Sequence, residues 1–276
     1  MLKYLSKLID YTPRKTSCPP PGWDRFIKGR GMERPWISAK IINQLLESEN
    51  KFMVHELGRA PLPTEKGDWT YIVFGDLTHG SQHHMLVFGD LPDGEDMTDR
   101  EDILVRIHSS CHTNEVFGAI NCECRAQLHG AMEMIETEKK GVILYLDQEG
   151  RGNGMTAKLA QLSGMFEWKN GKIVQKVDPE TGERIDTDMA YTQADYPSES
   201  RDFSMAGEML KSIGVKSVRL LTNNPRKIAG IENAGIRIVP IEIHITPENE
   251  IIATDLRAKA NKLGHTIRKE HLKVKP

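Results

Sequence analysis

From residue 53 to 110 the apolar positions come in short blocks broken by Gly and Asp: Tyr71-Ile-Val-Phe74, Met85-Leu-Val-Phe88 and Ile103-Leu-Val-Arg-Ile107. Blocks of that length with turn residues between them predict short strands joined by hairpins and loops. Ahead of them, Ile37, Ile41, Ile42, Leu45 and Leu46 stand at helical spacing and predict one helix over 37–50. It closes an otherwise irregular N-terminal extension, 1–52, in which Cys18 precedes a Pro-rich run that suits neither a helix nor a central strand. After 110 the pattern alternates. Helices are predicted over 122–139, 154–166, 201–214, 225–234 and 253–266, with strands over 141–146, 216–222 and 237–240. This predicts an α/β fold, with α+β as the alternative: a strand-rich N-terminal half and an α/β C-terminal half sharing a mixed sheet. The chain then divides into the extension, one domain over 53–270 and a basic tail over 271–276.

Composition narrows the function classes. Of 276 residues, 37 are Lys or Arg and 39 are Asp or Glu, a formal charge of −2 that argues against a general nucleic-acid binder. Residues 257–275 hold seven Lys or Arg against one Glu, which reads as a solvated helix and tail. The acidic run over 90–102 reads as a surface loop. No apolar run approaches the roughly 18–20 residues that span a bilayer, and the N-terminus lacks the apolar block of a signal peptide. The expectation is a soluble, cytoplasmic protein with no membrane or nucleic-acid partner.

Four cysteines are too few for a disulfide scaffold in a chain of this size. Cys111, Cys122 and Cys124 cluster, and three soft thiolates suit Zn²⁺ with the fourth position left for water. His108 or His112 as a fourth ligand would close the site and make it structural, and three ordinary buried cysteines are the plain alternative. Three further segments suit anions: Arg106-Ile-His-Ser-Ser110, Gln148-Glu-Gly-Arg-Gly-Asn-Gly154 and Thr222-Asn-Asn-Pro-Arg-Lys227. The last two each follow a strand and open a helix, where glycines and free backbone N–H groups approach phosphate closely.

Together the stretches VRIHSSCHTNEVFGAINCECRAQL (105–128), YLDQEGRGNG (145–154), SRDF (200–203) and VRLLTNNPRKI (218–228) resemble GTP cyclohydrolase II. LPTEKGDW (62–69) and TDLRAKANKLGH (254–265) extend the resemblance from about 55 to 267, in order. It implies a zinc-dependent hydrolase that opens the imidazole ring of GTP, releases formate and diphosphate, and yields 2,5-diamino-6-(5-phosphoribosylamino)pyrimidin-4-one for riboflavin synthesis. It implies one Zn²⁺ per subunit on Cys111, Cys122 and Cys124, Mg²⁺ with the nucleotide phosphates, and a homodimer. Arg106, Ile107, His108, Ser109, Ser110, Gln127, Glu149, Gly150, Arg151, Thr187, Thr222 and Lys227 match nucleotide-contacting positions. Arg201 matches the residue assigned as nucleophile toward phosphate, and Glu199 the proton acceptor. A guanidinium stays protonated in proteins, so chemistry alone gives Arg201 the milder role of stabilising phosphate charge.

Four departures touch the base side. Glu199 replaces the usual Asp, Ser110 an acidic residue, and Leu162 a tyrosine for which Tyr191 and Tyr196 are candidate substitutes. A dozen or so residues are inserted between Leu162 and Thr187, where 172–185 predicts a hairpin turning at Pro-Glu-Thr-Gly, either capping the base pocket or standing free. Two other readings follow: a divergent member that opens a different ring, such as that of a uracil nucleotide in pyrimidine breakdown, or a non-catalytic nucleotide-binding zinc protein.

Overall fold

Gly67, at φ +94°, turns the chain between β1 (Val54–Thr64) and β2 (Gly67–Asp76) and opens an antiparallel ladder. The computed structural model describes residues 54–76, 81–89 and 100–275. The extension 1–52 with Cys18 and the helix expected over 37–50, most of the acidic loop over 90–102, and Pro276 lie outside the described residues. The described strands β1, β2, β3 (Ser81–Phe88), β4 (Ile103–Ser109), β5 (Gly141–Leu146), β8 (Ser217–Leu221) and β9 (Arg237–Ile241) form one sheet, ordered β1-β2-β3-β5-β4-β8-β9. The first three pair antiparallel, and β3 joins β5 antiparallel. From β5 through β4 and β8 to β9 the ladders are parallel. The expected mixed sheet shared by two unlike halves is what forms.

β1 had no counterpart among the predicted strands. It carries Pro61 and Pro63, which cost ladder hydrogen bonds in a central strand but are tolerated at an edge, and β1 is the sheet's edge.

Alternation along β4 sends successive residues to opposite faces. On one face Leu104 packs with Ile143, Trp69 and the buried Ala131 and Ile135 of α2 (Cys124–Glu138). On the other, Ile103, Val105 and Ile107 join Val142, Leu144 and Leu146 beneath Met205, Ala206, Met209 and Leu210 of α5 (Ser204–Ser212) and Ile231 of α6 (Pro225–Glu232). Truncating a fully buried residue here, such as Ile143 to Ala, should cost about 2–5 kcal/mol. The helix expected over 201–214 begins only at Ser204, which leaves Arg201 on the preceding loop.

The remaining helices are the short α1 (His112–Glu115), α3 (Gly154–Met165), α4 (Thr187–Gln193) and α7 (Glu250–Lys262). The inserted segment differs from its expected shape. Residues 172–175 form β7, which pairs with β6 (Phe166–Lys169) through Asn170-Gly171. Both turn residues have positive φ, 53° and 74°, the two-residue hairpin geometry that Asn-Gly favours. The Pro-Glu-Thr-Gly segment makes a second, smaller loop closed by the single bridge Val177–Arg184, with Asp178 accepting from the backbone N–H of Glu180 and Thr181. Asn-Gly was the stronger hairpin signal, and the structure follows it.

Candidate active site

Three of the four parallel strands end at one place. β4 leads into Ser110 and Cys111, β5 into Asp147 through Arg151, and β8 into Thr222 through Lys227. The C-terminal ends of parallel strands are where an open α/β sheet gathers ligand-binding loops.

Two recesses meet there. The first is built around sulfur. Asn114, buried, donates from Nδ2 to the carbonyls of Ala119 (2.5 Å) and Cys122 (3.1 Å), and its Oδ1 accepts from the Arg125 N–H (2.5 Å). These bonds fold the 119–125 loop back onto β4, so Cys111, Cys122 and Cys124 bring their sulfurs within 4.8 Å of one another. Cys111 and Cys122 are 3.7 Å apart at Sγ. Tetrahedral zinc with Zn–S near 2.3 Å sets sulfurs about 3.8 Å apart, so the donor set and its spacing fit the metal. Hydrogen bonds from the other two thiols favour the Cys111 thiolate, while donating those bonds, and then burial, push the other two thiols up.

Neither candidate fourth ligand joins this trio. His108 Nε2 pairs with Glu115 Oε1 at 2.7 Å, and the same carboxylate accepts from Tyr145 Oη at 2.7 Å. His112 faces Glu149, with its N–H at 2.8 Å and Nδ1 at 3.2 Å from Oε2. Among the described residues no fourth histidine, cysteine or carboxylate completes the cluster. A three-ligand set is the open, catalytic form of a zinc centre.

The turn over 149–154 walls this recess. Gly150, Arg151, Gly152 and Gly154 all take positive φ, and Glu149 accepts from the Gly150 N–H at 2.9 Å. A side chain at Gly152 would stand 2.8 Å from the backbone of Ser200 and Arg201, so only glycine lets the turn and the Arg201 loop touch. Arg151 reaches Asp255 (3.5 Å) and lies over the Tyr191 ring at 5.7 Å. Burial raises the Tyr191 hydroxyl to about 12. Of the two candidate tyrosines, Tyr191 lines the sulfur recess and Tyr196 does not; Leu162 lines neither recess.

The second recess is cationic. Arg106, wholly buried, donates to the Leu221 carbonyl (3.0 Å) and to Gln127 Oε1 (2.5 Å), and its Nε has no protein partner. Burial pulls the guanidinium down to about 10, still charged at neutral pH. Lys227 Nζ donates to the Ile107 carbonyl at 2.8 Å, and burial, then Arg106 and Arg201, hold it well below an ordinary lysine. Thr222 Oγ1 accepts from the Asn224 N–H (3.0 Å), and Asn224 caps α6 by accepting from the Arg226 N–H (2.9 Å).

Arg201, Ser109, Cys124 and Lys259 line both recesses. Arg201 Nε donates to Glu199 Oε1 at 2.8 Å and a second bond joins NH2 to Oε2, a fork that anchors the guanidinium. Arg226 holds the loop by donating to the carbonyls of Glu199 (3.3 Å) and Arg201 (3.0 Å). Arg106, His108, Gln127, Thr222 and Lys227 therefore gather at the cationic recess, and Ser110, Glu149, Gly150, Arg151 and Thr187 at the sulfur recess. Two predicted site residues line neither: Ile107 contributes only its carbonyl, and Glu199 is turned to Arg201.

Sequence reasoning passed over several residues that the fold brings in. Glu123 is buried between two of the cysteines in sequence and accepts from Lys259 (2.6 Å) and Gln127 (2.9 Å). Lys158, Gln161 and Asn121 line the sulfur recess, the last two with buried, unpartnered carbonyl oxygens. Glu123, set between Cys122 and Cys124, carried a signal; Lys158 and Gln161 look like any helix positions.

The model of the family described as GTP cyclohydrolase II matches residues 55–242, well over half of the chain. The chain belongs to the GTP cyclohydrolase II family. It is a family of hydrolases. "Riboflavin biosynthesis protein RibBA" of Phocaeicola vulgatus is 39% identical over 207 residues, covering 75% of this chain and 46% of that protein. The protein of the same name from Bacillus mycoides is 38% identical over 209 residues with the same coverage. The chain thus spans about half the length of the curated relatives it matches. A crystal structure of RibBX, described as a two domain 3,4-dihydroxy-2-butanone 4-phosphate synthase from A. baumannii, aligns with a TM-score of 0.33 at 13% identity. It covers 72% of this chain and 43% of that one, a likeness too slight to add to the assignment.

Proposed function

We propose that this GTP cyclohydrolase II family member opens the imidazole ring of GTP by hydrolysis, with release of formate and diphosphate, and so supplies riboflavin synthesis. The observation that carries the reading is the junction of an open three-cysteine set with a buried cationic recess, bridged by Arg201. Cys111, Cys122 and Cys124 would hold Zn²⁺, which supplies a Lewis acid and a water acidified toward neutral pH. Arg106 and Lys227, with Thr222 beside them, would hold the phosphates, whose charge Mg²⁺ would share. Arg201 would stabilise the phosphate charge, since its fork to Glu199 keeps it cationic: burial opposes that charge, and the Glu199 carboxylate more than restores it. Glu199, occupied by that fork, would position Arg201, and any role as proton acceptor would require the fork to open. Tyr191 would present its hydroxyl to the base where Leu162 has none. We take 53–270 as the catalytic domain of a cytoplasmic homodimer; exposed Val116, Phe117 and Ile120 give such an assembly apolar surface.

The test is mass spectrometry of the zinc-loaded protein with GTP and Mg²⁺ and, separately, with UTP and UMP. Formate and the diaminopyrimidine monophosphate from GTP are the expected products. Turnover of a uracil nucleotide alone would replace GTP as the substrate, and zinc binding without turnover would favour a non-catalytic nucleotide-binding zinc protein.

A further inference from the structure

Lys158 lies in the second turn of α3 and is buried, although its ammonium gains nothing from an apolar neighbourhood. Burying an unpaired charge is strongly unfavourable, so its position needs a partner. Two are within reach: Cys111 Sγ at 3.8 Å and Glu149 Oε1 at 3.8 Å. These equal distances are unequal contacts. A nitrogen 3.8 Å from oxygen is past hydrogen-bond range, which ends near 3.2 Å. Sulfur is larger and softer, and the same separation is a hydrogen bond to a thiolate. Glu149 is also already committed, with Oε1 accepting from Gly150 N–H at 2.9 Å and Oε2 from His112 N–H at 2.8 Å.

We propose that Lys158 is a positioning residue for the metal centre, donating an N–H···S hydrogen bond to Cys111 that tunes the Lewis acidity of the bound ion. The proposal rests on the metal reading of the cysteine trio given above. Three thiolates on a dication would leave one net negative charge in a recess that already holds the Glu149 carboxylate, and the ammonium stands 3.8 Å from both Cys111 Sγ and Glu149 Oε1 and offsets that charge. A thiolate that accepts a hydrogen bond donates less density to its metal, so the ion stays more electrophilic. Outer-shell hydrogen bonds commonly adjust a metal in this way. A three-cysteine centre gains most, because thiolates otherwise quench the acidity that hydrolysis needs.

The test uses the full chain loaded with Co²⁺ in place of zinc. The sulfur-to-cobalt charge-transfer band of the wild type is compared with Lys158→Met and Lys158→Arg, each at one cobalt per chain. Loss of the hydrogen bond raises the energy of the sulfur lone pair, so Lys158→Met should move the band to longer wavelength. Lys158→Arg, which keeps a cationic donor, should move it back toward the wild type. An unchanged band in fully loaded Lys158→Met would overturn the proposal and leave Lys158 as a partner of Glu149 alone. Should Lys158→Met fail to fold, Lys158→Gln, a weaker neutral donor, should give an intermediate shift, and no shift there counts equally against it. If the wild type takes up no cobalt, the metal reading itself falls and the proposal with it. Nucleotide turnover plays no part in this readout, so a wrong substrate would leave the result standing.

Discussion

The two recesses of the site are built by opposite strategies. The sulfur trio is local: fourteen residues of chain carry all three sulfurs, and one asparagine folds that loop into place. The cationic recess is assembled from Arg106 on β4, Gln127 on α2, Arg201 on the loop before α5, and Thr222 and Lys227 after β8, which meet where the parallel, adjacent β4 and β8 end. A local cluster depends on its loop, whereas the distributed one depends on the sheet. The difference teaches which perturbations each recess should feel.

The sharpest break should come at sulfur. Cys122→Ser should lose most bound zinc by elemental analysis and depress ring opening by more than about 100-fold, since even outer-shell changes cost 10–100-fold. Circular dichroism should stay near that of the wild type if the trio is as local as it looks. Next comes Arg106→Met, which removes the charge bonded to Leu221 and Gln127. Triphosphate affinity by calorimetry should fall roughly 10- to 100-fold, the worth of a charged hydrogen bond. Zinc content should not change, and a variant that lost both would dissolve the distinction between the recesses.

Acid should weaken the cationic side. His108 and His265 line that recess, and burial lowers them to about 4 and about 3. An unfolded histidine near 6.5 takes up its proton earlier as pH falls. Stability from each is therefore intact above about 6.5 and is lost as pH drops toward its folded value, by at most about 1.4 kcal/mol per unit. Denaturant midpoints measured between pH 7 and 4 should fall steeply in the wild type and less in His265→Gln. The smallest effect belongs to the hairpin. Residues 166–175 line neither recess, so replacing Asn170-Gly171 by Ala-Ala should cost about 1 kcal/mol and leave nucleotide affinity unchanged. A lost affinity would restore the hairpin as a cover for the base.

What was legible in the sequence follows the same division. The cysteines and the ends of β5 and β8 could be read, because a Gly-rich turn and Asn-Asn-Pro follow those apolar runs within a few residues; the end of β4 showed as its polar His-Ser-Ser running into the first cysteine. β1 could not, since its prolines argue against a strand until its edge position is known. His108 and His112 remained open as ligands because their partners, Glu115 and Glu149, are decided by folding. Lys158 and Gln161 stayed hidden for a different reason: on a helix they satisfy the same pattern as solvated residues, and only packing of α3 against the trio turns them inward.

Gly152 shows what kind of change the site will accept. A hard contact between two stretches of backbone, the turn after β5 and the loop of Arg201, sets the width of the cleft where the recesses join. Side chains around it can be exchanged one at a time, but the gauge itself has no intermediate setting. Selection for a new substrate should therefore redecorate this cleft and leave its span untouched, so that relatives with different chemistry would share one calibre.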